Sequence, residues 1–513
     1  MIPEPLKRPA VDADARRQMW VDEAIWGHRL YDEQSPWLTV LEFLTVLHAR
    51  HGEPLVEPPD HDLTYRPQQQ FCLRTLLFNN QSLEEVRGLG LHDSDAWSRW
   101  EASFLRKPGS HDSGQVTRLR QAFSSFDDFA RVISLLRGMS HESLSNKRWT
   151  SRFVFPFGRA ALYEDLRQES AETFSADRRF YARTGELLYL MLCRSGRGPQ
   201  LLPKLEALFL GETSDFGRLV RVLQGAVDEV ASSTRQGAYL PHLALPRYEA
   251  LADDWLRVLN QPLPGLDCLP HLVAITGLHL LLYFLGRAHA ELGRPSTEPT
   301  FVLEIVSPKR TAVRELSIAS YDDNSSLPRK AVESHVRSVT AGAEWAAALV
   351  APSPSAAALV VLRSRFSWSR DSIPTGVTPD GLLEATVEDA LKRHGQHVAG
   401  IHAAWSRAIG LASRRASVRN RYAPTDAFLK SLVVCSVDGR CPLERFLETI
   451  HERYGLIVGP RQAEPLIRAG AADAEVFSDN AKRLEERLAS LGLVRRLSDS
   501  CAYVVNPFTM SRP

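Results

Sequence analysis

Between Cys268 and Gly286 the chain runs nineteen residues without a Lys, Arg, Asp or Glu, and Leu, Val, Ile and Phe fill most of it. As a helix rising ~1.5 Å per residue, this stretch either approaches a membrane span or must be wrapped on all sides by other protein. Pro270, His271 and His279 interrupt it, and Gly286-Arg287-Ala288-His289 closes it without an aromatic and basic belt. The sequence therefore predicts the central helix of a large helical body, with no membrane as partner.

A chain of 513 residues is long enough to bury several cores, roughly three domains by length. Its formal net charge is +1, so no global field draws in nucleic acid or membrane and any such role must be local. Cys72, Cys193, Cys268, Cys435, Cys441 and Cys501 form no C-x-x-C pair, which fits reduced, buried thiols of a cytoplasmic protein better than a disulfide framework or zinc site. Met1 to Arg8 lacks the apolar core of a secretory signal.

The hydrophobic pattern predicts a mainly α, multidomain protein. Residues 1–297 read as a helical body, with Ser35-Pro36 opening a helix and apolar stripes at Phe71–Phe78, Phe129–Leu136, Gly185–Leu192, Leu201–Leu210 and Leu219–Val230. Residues 298–378 read as a small α/β segment, with strands at 301–306, 313–318 and 358–362 and a helix from about Pro328 to Leu349. Residues 379–422 form a long basic helix or connector, its helix running from Pro379 to about Ser417. Residues 423–513 complete the pattern of a winged helix. Two short amphipathic segments, Asp426–Val434 and Pro442–Tyr454, precede a loop of roughly twenty residues. A third helix follows, capped at Ser478 or Asp479, with Leu484, Leu488 and Leu491 on one face and Gly492 at its end. Leu493–Leu497 and Ala502–Val505 then form a hairpin around Ser498-Asp499-Ser500.

In this arrangement the third helix is expected to present Asn480, Lys482, Arg483 and Arg487 outward, with Arg495 and Arg496 on the wing, toward double-stranded DNA. Against that stands the module's balance of twelve basic and twelve acidic residues from Ala423 onward. A neutral module gains little from phosphate neutralisation, and winged helices also dock proteins. Upstream, no acidic residue occurs from Ala390 to Thr425, where Arg414, Arg415, Arg419 and Arg421 cluster as candidate phosphate contacts. Two mixed groups, Lys147–Phe153 and Arg363–Arg370, interleave arginine with aromatic residues.

Motifs for nucleotide or nucleophile chemistry are missing. Gly376 and Gly381 have the spacing of a phosphate loop but are followed by Leu382 and Leu383, and Gly138-Met139-Ser140-His141-Glu142 lacks the second glycine of a nucleophile elbow. His271 and His289 are ~27 Å apart on one helix, and His394 and His397 lack a third ligand at adjoining turns, so no metal or other cofactor is expected. The one enzymatic candidate is the group Glu304, Lys309, Asp322 and Asp323, resembling the carboxylates and lysine of metal-dependent nucleases, although five residues and Pro308 separate Glu304 from Lys309.

The helical body, the helix beginning Leu269-Pro270-His271-Leu272-Val273, the run Val302-Leu303-Glu304-Ile305-Val306-Ser307-Pro308-Lys309 and the C-terminal module together resemble a known class. These are the large helical accessory proteins encoded beside ATPases in bacterial phage-defence islands, of the methylation-associated or phosphorothioation-dependent restriction type. The resemblance covers architecture and the span Arg183 to Lys309, and it brings no catalytic motif. It implies a non-catalytic, DNA-engaging or scaffold subunit that works with partners such as an ATPase or nuclease. The alternatives are a nuclease-like enzyme using Glu304, Lys309 and Asp322, and a winged-helix transcriptional regulator.

Overall fold

The computed structural model describes residues 5–9, 19–28, 30–70, 76–77, 80–104, 113–138, 158–159, 162, 164–168, 174–176, 182–211, 215–224, 234–264, 266–306, 311–370, 376–414, 419–498 and 501–509. It is mainly helical and divides into two compact units. One comprises Met1–Pro36, Leu190–Leu201 and Tyr239–Pro513; the other comprises Trp37–Tyr189 and Leu202–Ala238.

In the smaller unit, the helices Asp93–Phe104 and Phe126–Gly138 bury Trp97, Trp100 and Phe129 against each other, and the Trp100 indole donates to Asn80 Oδ1 at 2.8 Å. The same unit holds strands that the reading of residues 1–297 as a helical body does not include. Glu164–Gln168 pairs parallel with Gln69–Gln70 and antiparallel with Phe174–Ala176. These strands are too short and polar to show a period of two. A buried polar network lies beside them. The Arg235 guanidinium pairs with Glu164 at 2.6 Å, the Tyr65 hydroxyl donates to Glu186 at 2.7 Å, and Glu42 accepts from the Gly185 amide at 2.6 Å. Buried carboxylates persist only when paired in this way.

The larger unit is organised around the helix Cys268–Glu291. Among the described residues this is the one helix long and apolar enough to cross a membrane, yet 89% of its most apolar stretch is buried in the folded chain. Its polar side chains explain why it sits there comfortably. His279 meets Asp254 at 2.8 Å, Thr276 accepts from the Trp255 indole at 2.9 Å, and His271 meets Ser431 at 2.9 Å. Each of these three contacts offsets part of the desolvation penalty of placing a polar group in a core, although His279 Nδ1 is buried without a partner.

Two glycines of this helix have opposite roles. A Cβ at Gly277 would lie 2.3 Å from Ile409 Cγ2 and 2.9 Å from Pro36 Cγ, whereas one at Gly286 would meet nothing within 4 Å. Gly277→Ala is therefore expected to destabilise by about 1–3 kcal/mol through overpacking. Gly286→Ala should stabilise by up to ~1 kcal/mol through helix propensity. Urea unfolding of the two variants checks both signs; equal effects would contradict this packing.

From Phe301 onward the structure departs from the expected small α/β segment. Among its described residues only Phe301–Val302 is a strand, and residues 313–318 belong to the helix Ala312–Arg337. The buried positions Val313, Ser317, Tyr321 and Asn324 recur at spacings of four, four and three, a helical period that the local alternation at 313–318 conceals. Residues 358–362 likewise lie in the helix Pro354–Phe366, which buries Ala358, Leu362 and Phe366 at spacings of four. The expected long helix from Pro379 ends at His397, and Ile401–Ala408 is a separate helix.

The C-terminal region runs in the order helix Asp426–Ser436, strand Arg440–Pro442, helix Leu443–Tyr454, strand Leu456–Ile457, helices Glu464–Arg468 and Ala474–Ser490, strands Val494–Ser498 and Cys501–Val505. Arg440–Pro442 and Val494–Ser498 both pair antiparallel with Cys501–Val505, which is the central strand of three. Thr425 caps the first helix by accepting from the Phe428 amide at 3.3 Å. Helix Ala474–Ser490 begins earlier than Ser478, and Gly492 follows it with φ +73°.

The expected loop after Tyr454 carries a strand. Gly455, at φ +67°, turns the chain so closely that a Cβ there would stand 2.0 Å from Pro299 O. This turn delivers Leu456 and Ile457 parallel to Phe301 and Val302. Val302, Val313, Ile457, Ala463 and Phe477 then share one core. The C-terminal region is thus built into the larger unit through residues 155 positions upstream, by Phe301↔Leu456 pairing.

Candidate functional site

The residues expected to face DNA do not share one environment. Asn480 is fully buried. Its Oδ1 accepts from the Ile305 amide at 2.9 Å, and its Nδ2 donates to Leu303 O at 2.9 Å and Val458 O at 3.0 Å. The expectation that the helix presents it outward is corrected: Phe477, Asn480, Leu484 and Leu488 form the buried stripe. The signal was present in the sequence, since Asn480 stands four residues before Leu484 and so shares its face.

The remaining cations on that helix are largely matched by carboxylates. Arg483 approaches Asp479 at 3.7 Å, Arg487 reaches Asp426 at 2.7 Å, and Arg496 of the hairpin reaches Glu485 at 2.7 Å. Lys482 is exposed, but so are Glu475, Asp479 and Glu486 around it. Such pairs contribute little stability, about 0–1 kcal/mol each, yet a phosphate would have to compete with them.

The upstream arginines also divide. Arg414 and Arg419 are exposed, Arg415 lies outside the described residues, and Arg421 is buried. Arg421 is therefore corrected from a surface phosphate contact to a core cation: its Nε donates to Glu304 Oε2. The other oxygen of Glu304 accepts from Arg314 Nε at 2.8 Å. Glu304 itself is fully buried, while Asp322 and Asp323 are exposed on the helix Ala312–Arg337, and Lys309 lies outside the described residues. Among the described residues no group of three or more His, Cys, Asp or Glu side chains is placed to hold a metal ion.

Around this ion-paired carboxylate the chain crosses itself repeatedly. The Glu304 amide donates to Tyr422 O at 2.8 Å, and Ser317 Oγ accepts from the Tyr422 amide at 2.9 Å. The Tyr422 hydroxyl accepts from Asn324 Nδ2 at 2.9 Å and meets His402 Nε2 at 2.7 Å. Burial raises the Tyr422 phenol well above its ordinary range and pushes His402 down to about 4. Both are neutral at pH 7, so the hydrogen bond between them joins an imidazole and a phenol. The arrangement is a structural junction that ties Glu304 and Tyr422 to the helices Ala312–Arg337 and Ile401–Ala408.

The two mixed basic and aromatic groups give no stacking platform in the described structure. Phe366 and Trp368 are buried, with the Trp368 indole donating to Asp389 at 2.9 Å, and Lys147–Phe153 lies outside the described residues. One exposed basic strip does exist on the C-terminal sheet. Arg495 is cross-strand partner to Tyr503, and the Arg440 guanidinium lies 5.7 Å from the Tyr503 ring centroid. Arg440 and Arg495 are both exposed. Sequence reasoning missed Arg440 and Tyr503 because Arg440–Pro442 is too short to be recognised as a strand before its partner is known.

No protein-family model, curated protein or solved structure matches the chain.

Proposed function

We propose that this protein is a non-catalytic scaffold subunit of a bacterial multi-protein anti-phage defence complex, whose C-terminal region is a winged helix used to dock protein. The element order and the sheet with its last strand in the middle support the winged-helix reading. The observation that carries the docking role is the charge-matched face of the helix Ala474–Ser490, where Arg483, Arg487 and Arg496 already engage Asp479, Asp426 and Glu485. A groove-reading helix instead keeps its cations available for phosphate and base edges. The defence context and partners such as an ATPase or nuclease rest on the family resemblance, and the cytoplasmic setting rests on six scattered cysteines with no C-x-x-C pair.

A second, subordinate reading keeps DNA contact on the Arg440–Tyr503–Arg495 strip of the wing, because these two arginines are exposed beside an aromatic ring. Duplex-DNA affinity measured across salt concentrations tests both. The scaffold reading predicts weak binding with a log–log slope of about −2 or shallower, the value for two phosphate contacts. A slope of about −5 or steeper would show that the helix arginines and Arg414 and Arg419 also take phosphate.

A further inference from the structure

Within the larger unit, the helices Ala343–Leu349 and Pro354–Phe366 pack together as a hairpin around the turn at 350–353. Trp345 and Ala348 are the buried residues of the first helix, and Ala358, Leu362 and Phe366 those of the second. Helical geometry therefore turns Ala343, Ala347 and Val350 away from the core on one side, and Val360 and Ser364 on the other. Exposure follows this pattern: Val350 is 85% exposed, Val360 66% and Leu349 45%. No charged residue occurs between Glu344 and Arg363, so water meets a continuous uncharged face. Single exposed apolar side chains are ordinary on a soluble protein, whereas a contiguous uncharged patch marks a surface that another molecule covers.

The charges at the border of this face indicate what covers it. Glu344 stands at the open end of the first helix, Arg363 and Arg365 at the open end of the second, and all three are exposed. None of them makes an ion pair among the described residues. Glu344 lies ~9 Å from the turn and Arg363 ~15 Å, by the rise of a helix, a difference that the length of an arginine side chain spans. A two-fold axis running along the hairpin would lay the first helix of one copy on the second helix of another. Each Glu344 then meets the arginine end of the other copy, and Val350 and Val360 leave water in the same step. A border of one sign would instead repel its own copy and favour a different partner. We propose that the outer face of the 343–366 hairpin joins two copies of this chain in a two-fold dimer.

Two short helices offer a small interface, so association is expected in the micromolar range. The surface shares no residue with the C-terminal region and does not rest on the scaffold reading. Sedimentation velocity of the full chain from about 1 to 100 µM tests it, with circular dichroism confirming that each variant is folded. The wild type should pass from monomer to dimer across this range. Val350→Asp combined with Val360→Asp, both at exposed positions, should weaken the dimer at least tenfold. Glu344→Arg alone, and Arg363→Glu combined with Arg365→Glu, should each weaken it several-fold by setting like charges against each other. All three substitutions together should restore affinity to within about threefold of wild type, because the charges are again opposite across the two-fold. A wild type that stays monomeric throughout would overturn the proposal, and so would a monomer that binds lipid vesicles instead. A dimer undisturbed by the two aspartates, or a triple charge reversal no tighter than its parts, would overturn it as well. Because no DNA enters these measurements, their failure is distinguishable from failure of the scaffold reading.

Discussion

Asn480→Ala is expected to lower the unfolding free energy by about 3–5 kcal/mol, although it removes neither a charge nor a large apolar side chain. The amide satisfies three backbone groups at once: the Ile305 N–H and the carbonyls of Leu303 and Val458. Each buried group left without its partner costs about 1–3 kcal/mol, and partial relaxation keeps the total below the simple sum. Asn480→Asp should be at least as damaging, because an acceptor would then face the two carbonyls. Lys482→Ala, two residues away and exposed, should change stability by less than ~0.5 kcal/mol. Urea unfolding of the three variants checks the ranking. A change below ~0.5 kcal/mol for Asn480→Ala would mean that this side chain does not join the helix to residues 303–305.

Arg421→Ala is expected to destabilise by a similar amount, about 3–5 kcal/mol, for a different reason. It leaves Glu304 buried with only the Arg314 guanidinium to offset its charge. Glu304→Leu alone should also be costly, because it leaves Arg421 without its carboxylate. Combining Arg421→Met with Glu304→Leu removes the mismatch, so the double variant should lose at least ~2 kcal/mol less than the sum of the singles. Additive losses would show that the two side chains do not act as a pair. The same network explains why Arg421 should not be grouped with Arg414 and Arg419 in any DNA-binding experiment: its loss would alter the fold before it altered a surface.

Local patterns in the chain were read well where a helix bears a continuous apolar face. Asp426–Ser436 and Leu443–Tyr454 follow the expected segments closely, as does the hairpin whose strands are Val494–Ser498 and Cys501–Val505. The apolar run from Cys268 likewise predicts a central helix, and that helix is buried. The residues that were misread depend on contacts far away in sequence. Phe301–Val302 gains its strand character from Leu456–Ile457, so no local period could distinguish it from the helical stretch at 313–318. Glu304 carries the charge of a catalytic carboxylate in the sequence, and only the approach of Arg314 and Arg421 identifies it as an internal ion-pair partner. Surface charge was similarly ambiguous: Arg487 reads as a phosphate contact until Asp426, sixty-one residues upstream, is seen beside it.

The central functional claim is that the helix Ala474–Ser490 belongs to a docking surface and does not read a DNA groove. Fluorescence anisotropy with labelled duplex DNA tests it most directly, comparing the wild type with Lys482→Ala, Arg483→Ala and Arg487→Ala combined, at low salt where phosphate contacts are strongest. Circular dichroism confirms that the variant is folded. The account predicts affinities equal within about twofold, because two of these three cations are already held by carboxylates and the third is surrounded by acidic side chains. A loss of about tenfold or more in the folded variant would contradict it and return this helix to the DNA groove.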